Sequence, residues 1–431
     1  MTKMGIKGLP GLIHHVSKSA MKEFLFPEFK GLKVAVDGNL MIHQSVIAIR
    51  SSGKDMMNEK GEITSHLHGL FHKILAFLQN DMVPIFVFDG KSPNIKNKVL
   101  EKRLKRRKDA EKQLKELGET EGEEYIKHYK QTFRLSQKNM DEALILLDLM
   151  GIPYIIAPEE ADVVCAWLAA RNDPDRKRYV SGVCSDDSDM LVLGAPYLFK
   201  NMLKFMNRNK EITVINLNKT LVGMNLTMDQ FRDMSVMLGC DYCDNFKGVG
   251  QIKAYKLIHE YKTLEKVIES GVMQDPAASD ENNEDKASCM IAARNYYKNA
   301  LKQLDNSNNF VLTDDNLYLR QFQHKELLDF MCTKHNFDII RIQAGIERLK
   351  DYYQRMNITR PNAKKVHKII DPDISLYSVS ELSDNIEFLP SSSDEEYMPM
   401  PSKKKSLYKK NNEYDEFKTL SKNLKTSRKF V

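Results

Sequence analysis

Two spacings of apolar residues run through this chain. Short apolar runs occur at Leu32–Asp37, Val83–Asp89, Ile152–Ile156 and Tyr179–Cys184, with the length and composition of buried strands. Between them, apolar positions recur every three or four residues. Ser65–Asn80 sets Leu67, Leu70, Phe71, Ile74, Leu75 and Leu78 on one helical face. The same period carries 136–150 through Met140, Leu144, Leu147 and Leu149, and Glu160–Ala170 reads as another helix. Strands alternating with helices predict an α/β fold, a mostly parallel sheet flanked by helices on both faces. From Asn97 to about Phe133 the chain is charged nearly all round and poor in apolar residues. Such a stretch buries little, so it should stand off the core as one or two exposed helices, broken near Gly118–Gly122. From Thr227 the pattern is helical again, punctuated by Gly248-Val249-Gly250, with a polar acidic insert at 271–286 expected as a surface loop. After Pro361 the periodicity fades into Ser, Asn and Lys, and 361–431 reads as a disordered basic tail.

Composition narrows the class. With 431 residues, 42% hydrophobic and 29% charged, the chain exceeds one compact core and is too apolar to be disordered throughout. It has no run of 18 apolar residues, and Met1–Gly5 lacks the apolar stretch of a secretory signal, so no membrane partner is expected. Six cysteines make no disulfide scaffold and suit a reduced intracellular compartment. Cys240-x-x-Cys243 has no second pair to complete a zinc site and reads as coincidence. The net charge of +6 becomes informative once located: 91–112 carries +7, 403–431 another +7, and the remainder is acidic. Two basic patches point to a polyanion, and the acids to some separate purpose.

The acids sit where strands end. Asp37 and Asp89 each terminate an apolar run, Glu160 and Asp162 open the helix after Ile152–Ile156, and Asp186, Asp187 and Asp189 follow Cys184. Asp241 lies in Leu238-Gly-Cys-Asp-Tyr-Cys243. In parallel sheets ligands collect at the carboxyl ends of strands, which predicts one rim for these groups. Singly, each has an ordinary reading as a turn, a helix cap or a solvated acid. Together they would repel one another, and divalent Mg²⁺ or Mn²⁺ ions, which prefer oxygen ligands, relieve that. Two such ions can drive phosphodiester hydrolysis. An aspartyl-phosphatase reading needs an Asp two positions after Asp37, where Asn39 stands.

In their order and spacing, Met4-Gly-Ile-Lys-Gly-Leu9, Lys33-Val-Ala-Val-Asp37, Phe86-Val-Phe-Asp-Gly-Lys91, Met150-Gly-Ile-Pro-Tyr154, Ala157-Pro-Glu-Glu-Ala-Asp162, Leu238-Gly-Cys-Asp-Tyr242 and Gly248-Val-Gly250 resemble the eukaryotic and archaeal flap endonucleases. The likeness extends to Phe330-Met-Cys332 and Gly345-Ile-Glu-Arg-Leu349. It implies a PIN-like 5′-nuclease: an N-terminal nuclease region at 4–110, a basic arch at 92–135, an internal nuclease region at 136–226 and a helical DNA-binding region at 227–350. It implies metal carboxylates at Asp37, Asp89, Glu160, Asp162, Asp187, Asp189 and Asp241, with Asp162 standing where the family usually has Glu. It also implies that two Mg²⁺ ions are used, with Mn²⁺ able to substitute. Lys96 and Arg103 match arch residues that grip the scissile phosphate; Arg106 and Arg107 either join them or form a solvated helix face.

Gly248 and Gly250, with Lys253 beside them, match a helix–two-turn–helix element that holds duplex backbone, often with K⁺. Arg50 and 51–63 match the wedge and downstream-end pocket, where Lys60 replaces a usual acid. His43 replaces a base-stacking Tyr and either stacks or is a core histidine. Met1-Thr2-Lys3 precedes the Met4-Gly5 of the family's start, so either translation begins at Met4 or the extension is swung aside. The tail lacks a Gln-x-x-aliphatic-x-x-aromatic-aromatic box, so recruitment by a sliding clamp is not supported. The resemblance thus implies a monomeric, metal-dependent nuclease acting on 5′ flaps and ends of DNA in replication and repair, in the nucleus or as a viral protein in a host. The Lys403-Lys404-Lys405 run is either an import signal or a solvated stretch. A 5′-3′ exonuclease, a junction-cutting relative and an inactive DNA-binding scaffold are the rival readings; the complete set of carboxylates argues against the last.

Overall fold

β-branched and aromatic residues in the apolar runs pair into one sheet. The computed structural model describes residues 5–91, 97–117, 122–173, 178–204, 211–273 and 280–361, with backbone alone for 97–103 and 280–283. Its strands are β1 (Met21–Leu25), β2 (Lys33–Asp37), β3 (Val83–Phe88), β4 (Tyr154–Ile156), β5 (Val183–Cys184), β6 (Tyr197–Lys200) and β7 (Glu211–Asn216). Across the sheet the order is β1-β7-β6-β5-β2-β3-β4. From β6 to β4 every pairing is parallel, whereas β7 runs antiparallel to both β6 and β1. The antiparallel edge was not legible in the pattern: Met21-Lys-Glu-Phe-Leu25 is interrupted by Lys22 and Glu23 and has no fully buried residue, and its pairing is decided by β7.

Alternation along the strands sends side chains to two cores. Ala35, Ile85, Val87, Val183 and Leu198 face helices 161–170, 228–237 and 280–305. Val34, Val36, Phe86, Phe88 and Phe199 face helices 38–50, 65–79, 137–149 and 339–355. Both faces are therefore covered, as parallel strands require. After β4 the chain crosses to β5 on the other side of β2. That reversal opens a crevice at the carboxyl ends of β2, β3 and β5, where open α/β sheets bind ligands.

The charged stretch forms helices Asn97–Leu117 and Glu123–Gln131, which pack on each other. The second has no buried residue. The expected break at Gly118–Gly122 falls between them, with Gly122 capping the second; 118–121 lie outside the described residues, as does the tail from 362 onward. The acidic insert needs correction. Asp280, Glu284 and Asp285 belong to helix Asp280–Asp305 rather than to a loop, where acids near a helix N-terminus complement its dipole. Among the described residues, no helix is long and apolar enough to cross a membrane.

Candidate active site

The rim at the ends of β2, β3 and β4 is built by backbone geometry. Asp37 leaves β2 and caps the helix Gly38–Arg50, accepting from the Leu40 amide at 2.9 Å. Asp89 follows β3, and its carboxylate accepts from Asn39 Nδ2 and from the Ala161 amide, each at 2.8 Å. The second bond ties Asp89 to the first turn of helix 161–170, which carries Asp162. Beneath them Cys165 is fully buried. Its thiol pKa is pushed up by burial first and then by the charges of Asp37, Asp162 and Asp89, so these three carboxylates crowd one locus.

A second group forms after β5. The Asp189 amide donates to Asp187 Oδ1 at 2.8 Å, and the Ile6 amide to Asp189 Oδ1 at 3.0 Å. Tyr297 donates to Asp189 Oδ2 at 2.5 Å. Burial raises the Asp187 pKa, as does the charge of Asp241; Asp189 is raised further, by burial and then by Asp187 and Asp241. Glu160 links the two groups to the helical half: its Oε2 accepts from Tyr242 and, at 2.9 Å, from Tyr296. The charges of Asp37, Asp162 and Asp89 thus meet at Cys165 and that of Asp241 at Asp187 and Asp189, while Glu160 is bonded to the helical half.

The donor set suits hard divalent cations. The groups are carboxylates, and buried like charges that raise one another's pKa are stabilised by a cation among them. Among the described residues, no three acidic, His or Cys side chains are gathered tightly enough to enclose an ion by themselves.

Two expected DNA contacts turn inward. His43 is 4% exposed, packs its ring 5.4 Å from that of Phe133, and has its pKa lowered to about 3 by burial and then by Arg50. It is a neutral core histidine, and its covered ring offers no face to a base. Arg50 is also buried. It forms a fork with Asp55 at 2.9 and 2.8 Å, donates to the Tyr129 carbonyl and to Thr132, and lies over the rings of Tyr129 and Phe133. The guanidinium joins helix 38–50 to the second arch helix and is not presented to DNA.

Other expected contacts remain on the surface. Arg106 is exposed and Arg107 partly so, 3.7 Å from Glu111. Lys96 and the side chain of Arg103 lie outside the described residues, although the Arg103 backbone is on helix 97–117. Gly248 has φ +79°, a left-handed turn that favours glycine, and an added Cβ at Gly248 or Gly250 would meet open space. Gly250 caps helix Gln251–Tyr261, and exposed Lys253 reaches the Val272 carbonyl at 3.3 Å. Sequence reasoning missed Asn39, Tyr296 and Tyr297. The adjacent tyrosines in a polar helix were the available signal, because a buried Tyr hydroxyl needs a partner.

Residues 4–110 match the XPG N-terminal domain and 151–241 the XPG I-region. Flap endonuclease 1 of Scheffersomyces stipitis is 37% identical over 350 residues, covering 80% of this chain and 87% of its own. That of Candida glabrata is 38% identical over 348 residues, with coverage of 80% and 87%. Among solved structures, flap endonuclease-1 from Methanococcus jannaschii superposes with a TM-score of 0.56 at 25% identity, over 78% of this chain and 96% of its own. The catalytic core of Rad2 in complex with DNA substrate shares the fold, with a TM-score of 0.54 at 21% identity over 80% and 100%.

Proposed function

The chain belongs to the flap endonuclease family, and from that premise we propose how its residues hydrolyse DNA phosphodiesters near 5′ flaps. It is a structure-specific nuclease, and the observation that carries the reading is the convergence of carboxylates at the sheet's switch point. Asp37, Asp89 and Asp162 form one half of a cation site, and Asp187, Asp189 and Asp241 the other, with Glu160 between. Two Mg²⁺ ions, when bound, would neutralise these acids and stabilise charge on the attacking water and the leaving oxygen.

The chain's own groups set the geometry. Asn39 and the Ala161 amide hold Asp89, Tyr242 and Tyr296 hold Glu160, and Tyr297 with the Ile6 amide holds Asp189. Lys96 and Arg103 would donate to the scissile phosphate as negative charge develops. The Gly248–Gly250 turn and Lys253 would hold the duplex backbone at a helix start, where amides point outward and K⁺ can bridge to phosphate. Binding by backbone contacts makes junction shape, not sequence, the determinant. The products are a 5′-phosphate and a 3′-hydroxyl, and the enzyme acts as a monomer in the nucleus.

The test is a labelled 5′-flap duplex mixed with pure full-length chain, with Mg²⁺, with Mn²⁺ and with a chelator. Incision at the flap junction that requires the ion supports the reading. DNA binding without incision in either metal would leave only a scaffold.

A further inference from the structure

Cys240 and Cys243 lie on either side of Asp241 and Tyr242, and the fold brings their sulfurs to 3.5 Å. The turn is closed by the Cys240 amide donating to the Cys243 carbonyl at 2.9 Å. Cys243 is 3% exposed and points toward the Val236 carbonyl, whereas Cys240 is only partly buried. A third thiol, Cys289 of helix 280–305, donates to the Tyr242 carbonyl at 3.1 Å. This four-residue turn therefore presents two residues of the carboxylate centre. The charge of Asp241 acts on Asp187 and Asp189, and Tyr242 donates to Glu160. Cys240 itself lies against Tyr297, the residue that bonds Asp189.

We propose that Cys240 and Cys243 are a peroxide-sensitive dithiol whose closure to a disulfide disables the carboxylate centre; this rests on that centre being the site of hydrolysis. Hydrogen peroxide is the oxidant. The Cys240 sulfur attacks one peroxide oxygen, the O–O bond breaks, and Cys240 sulfenic acid forms with release of water. The Cys243 sulfur then attacks the Cys240 sulfur, displacing the hydroxyl as a second water that takes up the Cys243 proton. Overall, two thiols and one peroxide become one disulfide and two waters. A disulfide needs its sulfurs at about 2.05 Å, so the two sulfurs must close by roughly 1.5 Å and pull on the turn that carries Asp241 and Tyr242. A shift of about 1 Å in a catalytic group is enough to cost on the order of 10²-fold in rate. Reduction by a dithiol restores the open turn.

The experiment uses the full-length chain, treated with hydrogen peroxide, quenched with catalase and divided. Peptide mass mapping reads the linkage, and single-turnover cleavage of a 5′-flap duplex in Mg²⁺ reads the rate. Flap affinity in chelator reads binding. The expected result is a Cys240–Cys243 disulfide, a rate loss on the order of 10²-fold, retained flap affinity, and recovery with dithiothreitol. Cys240→Ser and Cys243→Ser, each compared with its own reduced form, should both be insensitive. The inference is overturned by absence of the linkage, by the linkage with an unchanged rate, by pairing with Cys289 instead, or by sensitivity persisting in both variants. A reduced wild-type chain that cuts no flap would overturn the nuclease reading itself, and the inference with it.

Discussion

The helix Gly38–Arg50 begins at one kind of buried charge and ends at another. At its start the charges of Asp37, Asp162 and Asp89 all act on Cys165, and after β5 the charge of Asp241 raises the pKa of both Asp187 and Asp189. At its end Arg50 is forked onto Asp55, bonded to Tyr129 and Thr132, and covered by two rings. Both regions are desolvated, and the second is balanced by the Arg50–Asp55 ion pair. Burying a charge is tolerable when it is paired and hydrogen-bonded. The carboxylate rim is the functional region under the proposed reading, and the Arg50 region is architecture that ties helix 38–50 to the second arch helix.

The contrast breaks first at Asp189. Asp189→Ala should abolish incision, a loss beyond about 10³-fold, while flap binding survives, because affinity comes mostly from Lys and Arg on phosphates. A folded variant that cuts at near wild-type rate in Mg²⁺ would remove Asp189 from the cation site.

The next test sets cation against cation. Lys96→Ala and Arg103→Ala should each lower the single-turnover rate by about 10²-fold with little change in duplex affinity. Lys108→Ala, on the same arch, should do little. Small, equal effects at all three would make the arch a landing surface only.

Arg50→Ala should instead act on the fold. Removing one partner of a buried pair leaves Asp55 uncompensated, at a cost of about 3 kcal/mol in unfolding free energy. Denaturant titration measures this. Lost flap affinity with an unchanged melting midpoint would reinstate Arg50 as a DNA contact.

His43 supplies the smallest and most graded test. Its folded pKa is lowered to about 3 from 6.5, so the unfolded chain takes up the proton first as pH falls. Its contribution to stability is complete above about pH 6.5 and declines toward pH 3, at up to about 1.4 kcal/mol per pH unit. His43→Phe should lose that part of the acid sensitivity, so its melting temperature gains on the wild type between pH 7 and 5. Parallel curves would mean that the ring is not held neutral.

Much of this was legible in the sequence because it depends on local period and on chain order. The runs ending at Asp37 and Asp89 declare strands whose ends must share a rim, and the apolar face of 65–79 needs a sheet to cover. The segments matching the flap endonucleases likewise carry their spacing on their face. What the pattern could not express is which partner each side chain meets. Arg50 reads as a surface cation until Asp55, Tyr129 and Phe133 close over it. Cys240-x-x-Cys243 reads as chance until the turn sets the sulfurs 3.5 Å apart around Asp241. Tyr296 and Tyr297 gain meaning only when helix 280–305 is laid across the crevice to Glu160 and Asp189. Periodicity is a property of neighbours along the chain, so sequence alone determined the strands that end at Asp37 and Asp89 and the apolar helix faces that cover them. Desolvation and hydrogen bonding depend on neighbours in space, so only the tertiary structure decided which partner each buried charge meets.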